Sequence, residues 1–162
     1  MTTELKRLVR VAAHGVVADT AAEELPLFDD IADQYFVDPD QVPDPADRND
    51  PLGFGMGTIV AATPAALAMV YATVNFLRAE LLKSMRDVSA EWIHAQLESL
   101  IKKSVDKNAP ASGDGGKGFI SITREQLIVI ERLAKQEAIR FGMDNELAAK
   151  MARSLLGSLA TK

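Results

Sequence analysis

Apolar residues recur along this chain in two ways. Over most of its length they return every third or fourth residue, which lines them along one side of an α-helix. Between Leu52 and Leu77 the alternation stops. LGFGMGTIVAATPAALAMVYATVNFL runs for 26 residues without a charge. Before it, Thr3 to Ala18 reads as a helix with Leu5, Leu8, Val9, Ala12, Val16 and Val17 on one face and Lys6, Arg7 and Arg10 on the other. A second, short helix is expected next, with Glu24 near its cap and Pro26 near its first turn. Its stripe is Leu27, Phe28, Ile31, Ala32, Tyr35 and Phe36, with Asp29, Asp30 and Asp33 facing away. Three of the nine aromatic residues lie in that stripe, so it is expected to contribute strongly to the core.

From Pro64 the helical spacing continues through Leu67, Val70, Val74, Leu77, Leu81, Met85, Val88, Trp92, Leu97 and Ile101. It predicts one helix to about Ser104, roughly 60 Å long at 1.5 Å per residue. Asp106 to Gly118 (DKNAPASGDGGKG) has the composition of a flexible linker. Phe119 to Ile122 fits a short strand or a staple before a helix. Thr123-Arg-Glu-Gln126 is a capping box, in which the threonine hydroxyl accepts from the third N–H and Gln126 reaches back. Leu127, Ile130, Leu133, Ala134, Ala138 and Phe141 form the next stripe, and Gly142 is placed to end it in a left-handed cap. Asp144 then caps a last helix with Leu147, Met151, Leu155, Leu156 and Leu159 inward. The expected fold class is all-α, with a long central helix, N-terminal helices before it and a C-terminal helical hairpin. The expected domains are a helical core over 1–105 containing the apolar segment 52–77, a flexible linker at 106–118 and the hairpin at 119–162.

The uncharged stretch has three destinations open to it: a bilayer, a subunit interface or an ordinary core. About 20 apolar residues cross ~30 Å of hydrocarbon, and this stretch is long enough. Its flanks are asymmetric, with Asp38, Asp40, Asp44, Asp47 and Asp50 before it and Arg78, Lys83 and Arg86 after it. In a span the basic side would be cytoplasmic. Thr63-Pro64 points the other way, because threonine followed by proline starts helices. A helix from Pro64 to Leu77 is too short to span. Asn75, the many Ala and Thr residues and Gly53, Gly55 and Gly57 also weaken a span. In either a lipid or an assembly role, Leu67, Val70, Val74 and Leu77 are the residues expected to make the contact. In the hairpin, Leu133, Met151 and Leu155 are the candidates for docking a partner.

Charge and composition narrow the chemistry. The 162 residues fit one domain, or one with an appendage, and none is cysteine, so disulfides, thiolate metal sites and cysteine nucleophiles are excluded. Arg10 interrupts the early apolar run, so no signal-peptide core forms. Residues 1–52 hold 12 acids against 4 bases, a net of −8. Nucleic acid is therefore not an expected partner, since phosphate contacts supply most non-specific affinity. Val37 to Pro51, with four prolines, reads as a solvated acidic loop. Its aspartates do not make a calcium loop, because Val42 breaks the alternation and no glycine follows. GDGGKG lacks the spacing of a phosphate loop, and Lys117 is followed by Gly118 rather than Ser or Thr. The turn near Ala138 and Gly142 has the spacing of a helix-turn-helix, but Glu137 falls where that motif is apolar and only Lys150 and Arg153 follow. His14 and His94 lie on separate predicted helices, and no catalytic triad, paired-carboxylate motif or metalloprotease motif is present. The sequence predicts no catalytic, metal or cofactor site, and a protein that is not an enzyme.

Two phrases, ELPLFDDIADQYF at 24–36 and DPLGFGMG at 50–57, together with the apolar helix after them, resemble small uncharacterised proteins of actinobacterial type found in bacterial conflict (defence) loci. The resemblance covers roughly residues 20 to 80. It implies a membrane-acting effector or an adaptor, and no site residue carries over. The expected function is a non-enzymatic, self-associating helical protein acting at the inner face of a membrane from the cytoplasm, with a homo-oligomer as its working form. The alternative is a soluble adaptor whose hairpin docks a larger protein.

Overall fold

In the computed structural model, residues 1–40, 62–84, 87–105 and 122–159 are described, with side chains at all of these except 100 and 102–105. The described residues form six α-helices and one 3₁₀ helix: α1 (Thr3–Thr20), a 3₁₀ helix (Ala22–Leu27), α2 (Phe28–Val37), α3 (Ala62–Ser84), α4 (Ala90–Val105), α5 (Arg124–Arg140) and α6 (Asn145–Leu159). No strand occurs among them. The expected all-α fold, with a long central helix between N-terminal helices and a C-terminal pair, is the observed one. The glycine-rich 52–61, the linker at 106–118 and residues 41–51 of the acidic loop lie outside the described residues.

α3 is the axis of the molecule. It packs against α1, α2 and α5, while α6 lies against α1, α4 and α5. Nine consecutive residues, Ala62 to Val70, are all buried. A helix can be enclosed on every side only if its neighbours approach closely, and Ala62, Ala65, Ala66 and Ala68 allow that approach. The second half of α3 opens on one side. Tyr71 and Asn75 are half-buried there, and Arg78, Leu82 and Lys83 are exposed. Asn75 therefore lies at the edge of the enclosure, which is why a side-chain amide is tolerated in an apolar run.

The single helix expected from Pro64 to Ser104 is two. α3 ends at Ser84, and Val88 and Ser89 are not helical. The Ser89 hydroxyl accepts from the Trp92 N–H at 3.2 Å, and the Ser89 carbonyl accepts from Ile93 at 3.2 Å. Ser89 thus starts a new helix at its N-cap. α4 leaves the α3 axis and lies against α6 and α1, burying Ile93, Leu97 and Ile101. The apolar spacing stays in phase across the break, which hid it in the sequence.

The C-terminal pair follows its local code closely. The Thr123 hydroxyl accepts from Gln126 N at 3.2 Å, and the Gln126 side chain accepts from Thr123 N at 3.0 Å. Gly142 has φ 87°, the left-handed region, and Met143 N–H donates to the Ala138 carbonyl at 3.0 Å. Asp144 Oδ1 accepts from Leu147 N at 2.8 Å to begin α6. The pair does not bury its apolar face on itself alone. Ile130, Ala134, Ala138, Met151, Ala152 and Leu155 belong to the same core cluster as Val9, Val17, Leu67 and Val70. α5 contacts α3 and α6 contacts α1, so among the described residues one core joins the segments that composition divides at 106–118.

Candidate functional site

Every residue singled out in the apolar helix is inside. Leu67, Val70, Val74 and Leu77 are all within 4 % of complete burial. In this conformation none of them is open to lipid or to a second subunit. The hairpin candidates divide. Met151 and Leu155 are buried in the shared core, and Leu133 is half-buried. The apolar side chains that α5 turns outward are instead Ile128, Val129 and Ile139, at 52 %, 38 % and 44 % exposure. Ile128 and Ile139 are eleven residues apart, about three turns, so they fall on one line along the helix. Arg132 and Lys135 sit between them. This outer line breaks the amphipathic rule that identified the inner stripe, and inspection of polar-face positions for isoleucine and valine is the signal that finds it.

The start of α3 has the most unusual chemistry in the molecule. Glu24 was expected near the cap of the second helix. Its carboxylate instead crosses to α3, accepting from Ala62 N at 3.1 Å, Thr63 N at 2.7 Å and the Thr63 hydroxyl at 2.6 Å. Thr63 does not use its hydroxyl as an acceptor for its own helix; it donates to Glu24. Pro64 has no N–H to satisfy. The first turn of α3 is therefore capped by a side chain 38 residues away in sequence. Glu24 is 2 % exposed and is the only charged side chain buried among the described residues. No cation pairs with it among those residues. Three hydrogen bonds and the positive end of the helix hold its charge.

The rest of the surface offers less. Arg10 on α1 pairs with Asp29, 3.1 Å away, and with Asp33 on α2, and its guanidinium lies 5.8 Å from the centre of the Phe36 ring. Ser154 on α6 donates to Asp19 at 2.8 Å, and Arg140 on α5 reaches Asp40 at 3.3 Å. The last two contacts fasten the N-terminal segment to the C-terminal pair. Tyr35 is buried beside Phe141, with ring centres 6.4 Å apart. Burial, and then the nearby Glu137 carboxylate, push its phenol well above the usual tyrosine range. A cleft of about 150 Å³ between α1 and α4 is lined by Glu4, Arg7, Leu8, Val11, His94, Glu98 and Ile101. His94 Nε2 is 3.8 Å from the Glu4 carboxylate. His14 is elsewhere, its ring edge-on to Phe28 at 5.1 Å. Among the described residues no group of three His, Cys, Asp or Glu side chains converges as metal ligands would.

No family model, no curated protein and no solved structure matches this chain. Its functional reading rests on its own residues.

Proposed function

We propose that the protein is a non-enzymatic helical effector that stores a membrane-competent helix inside a sheath of amphipathic ones. The observation that carries this reading is α3. It is 23 residues long, about 34 Å at 1.5 Å per residue, close to the ~30 Å of a hydrocarbon core. By length and composition it is the one helix among the described residues able to cross a membrane, with a mean hydropathy of 1.3 over its richest window. A surface helix of a globular protein has an apolar stripe and a polar back. From Ala62 to Val70 this one has no polar side, apart from Thr63, whose hydroxyl is taken by Glu24. A helix of that kind needs a complete apolar surround, which either a core or a bilayer supplies. Around it, α1, α2 and α5 pack their apolar faces on α3 and lose that contact once α3 has left. The basic residues Arg78 and Lys83 at its end favour a cytoplasmic C-terminal side. Its alanines suit close helix–helix contact, and hence self-association, in lipid. This is the kind of action implied by the resemblance to conflict-locus proteins.

The test is flotation of the full-length protein with anionic lipid vesicles in urea just below its unfolding midpoint, where α3 is transiently released. The wild type should float, and Val70→Arg should not, because a charge at mid-helix costs roughly 2.5–3.5 kcal/mol in a bilayer by insertion scales. Wild type that stays with the soluble fraction under these conditions refutes the reading.

A second reading is favoured by the outer line of α5. Ile128, Val129 and Ile139, with Glu131, Arg132 and Lys135 between them, make a surface suited to an amphipathic helix of another protein. In that case the molecule is an adaptor, α3 is only its core helix, and the opened protein would not float.

A further inference from the structure

We infer that Glu24 is a latch that keeps α3 in store: an autoinhibitory contact in which the 3₁₀ helix supplies the cap that lets the buried end of α3 exist. This rests on the membrane reading above. Most helices carry their own cap at the residue before the first turn. Here the cap comes from Ala22–Leu27, a separate element. The N-terminal N–H groups of α3 lie where water does not reach, since Ala62 and Thr63 are both buried. Withdrawing Glu24 would leave two backbone N–H groups and one hydroxyl without partners in apolar surroundings. Such groups are costly to leave unpaired, so the enclosed form of α3 and the seat of the 3₁₀ helix stand or fall together. The carboxylate is in the same position. Away from α3 it regains water, but inside the molecule it has only these three partners among the described residues. The pair is thus an all-or-none clip rather than one contact among many.

Its location suits a release mechanism. The clip ties the segment before α2 to the first turn of α3, across the whole of 28–61. A partner that pulls the 3₁₀ helix outward, or binds its exposed Glu23 and Leu27, would uncap α3 without touching it. Pro26 lies within this 3₁₀ helix, which runs directly into α2.

The experiment compares wild type, Thr63→Val, Glu24→Ala and the double variant Glu24→Ala with Val70→Arg, all full length, by flotation with anionic vesicles in the absence of urea. Circular dichroism of each is recorded first. Thr63→Val removes one bond of three and Glu24→Ala all three. The vesicle-bound fraction should rise in that order, by about tenfold or more for Glu24→Ala, the effect of about 1.4 kcal/mol on the opening equilibrium. The double variant should stay unbound. A folded Glu24→Ala that floats no more than wild type, while urea-opened wild type does float, overturns the latch and leaves the membrane reading standing. Failure of the urea-opened wild type to float overturns the membrane reading itself. If Glu24→Ala loses its helix content, Thr63→Val decides alone: flotation above wild type supports the latch, and flotation equal to wild type overturns it.

Discussion

Single residues in this protein act by being paired far from home. Glu24 caps a helix that begins 38 residues later, and nothing in its neighbourhood, ELPLF, shows this. A glutamate before a proline reads as a local cap because sequence spacing reports only i, i+3 and i+4 partners. Thr63 is already helical in α3, and its hydroxyl donates to Glu24 of another element rather than capping its own helix. Tyr35 is a second such case. Its phenol is buried against Phe141, just after α5, and near Glu137, and its neutral form is favoured in the fold. The folded-state pKa is raised, so the stability it contributes is complete below pH ~10, where an exposed tyrosine ionises, and is lost as the pH climbs above that. Absorbance at 295 nm and ellipticity at 222 nm followed together in alkaline titration should show Tyr35 ionising only as the helices melt. Ionisation of both tyrosines before any loss of ellipticity would contradict the burial assigned to Tyr35.

At the level of elements, the local signals were legible and the partnerships were not. The capping box at Thr123, the left-handed Gly142 and the Asp144 cap could all be read from spacing, because each is decided within four residues. The break at Ser89 could not, because Leu81, Val88, Trp92 and Leu97 hold the helical period across it while α4 goes to a different neighbour. The apolar stripes fall mostly on buried or half-buried faces, with Leu27 an exception at 37 % exposure, but a stripe does not name the surface it will meet. Met151 and Leu155, where the spacing predicts docking, are buried in the shared core, while Ile128 and Ile139 face outward. The shared core has a consequence for stability. Leu155 is 1 % exposed and lies in the cluster that also holds Val9, Val17 and Leu67. Leu155→Asp buries an unpaired charge, at about 3–5 kcal/mol. Thermal melting of that variant should show a single transition for the whole molecule at a lower temperature. A biphasic melt, with 1–105 still folded after the hairpin is lost, would mean the two parts are separate units joined by a tether.

The whole molecule is a set of amphipathic helices closed around one that has no polar side over its first half. The uncharged stretch signalled a helix wanting an apolar surround. The fold supplies that surround from within the chain, so the resting molecule has no need of a second copy to cover Leu67, Val70, Val74 and Leu77. The proposed function adds a second surround, lipid, reached when the Glu24 clip opens. Amide hydrogen exchange by mass spectrometry on Glu24→Ala, free and bound to anionic vesicles, tests this most directly. The account predicts that Ala62–Leu77 exchanges slowly in both states, in the protein core and then in the bilayer. The α1 and α5 amides should exchange faster on the vesicle than in solution, because they have lost the helix they enclosed. The opposite pattern, with α1 and α5 protected and Ala62–Leu77 exposed on the vesicle, or with no change in any helix on adding vesicles, would contradict it.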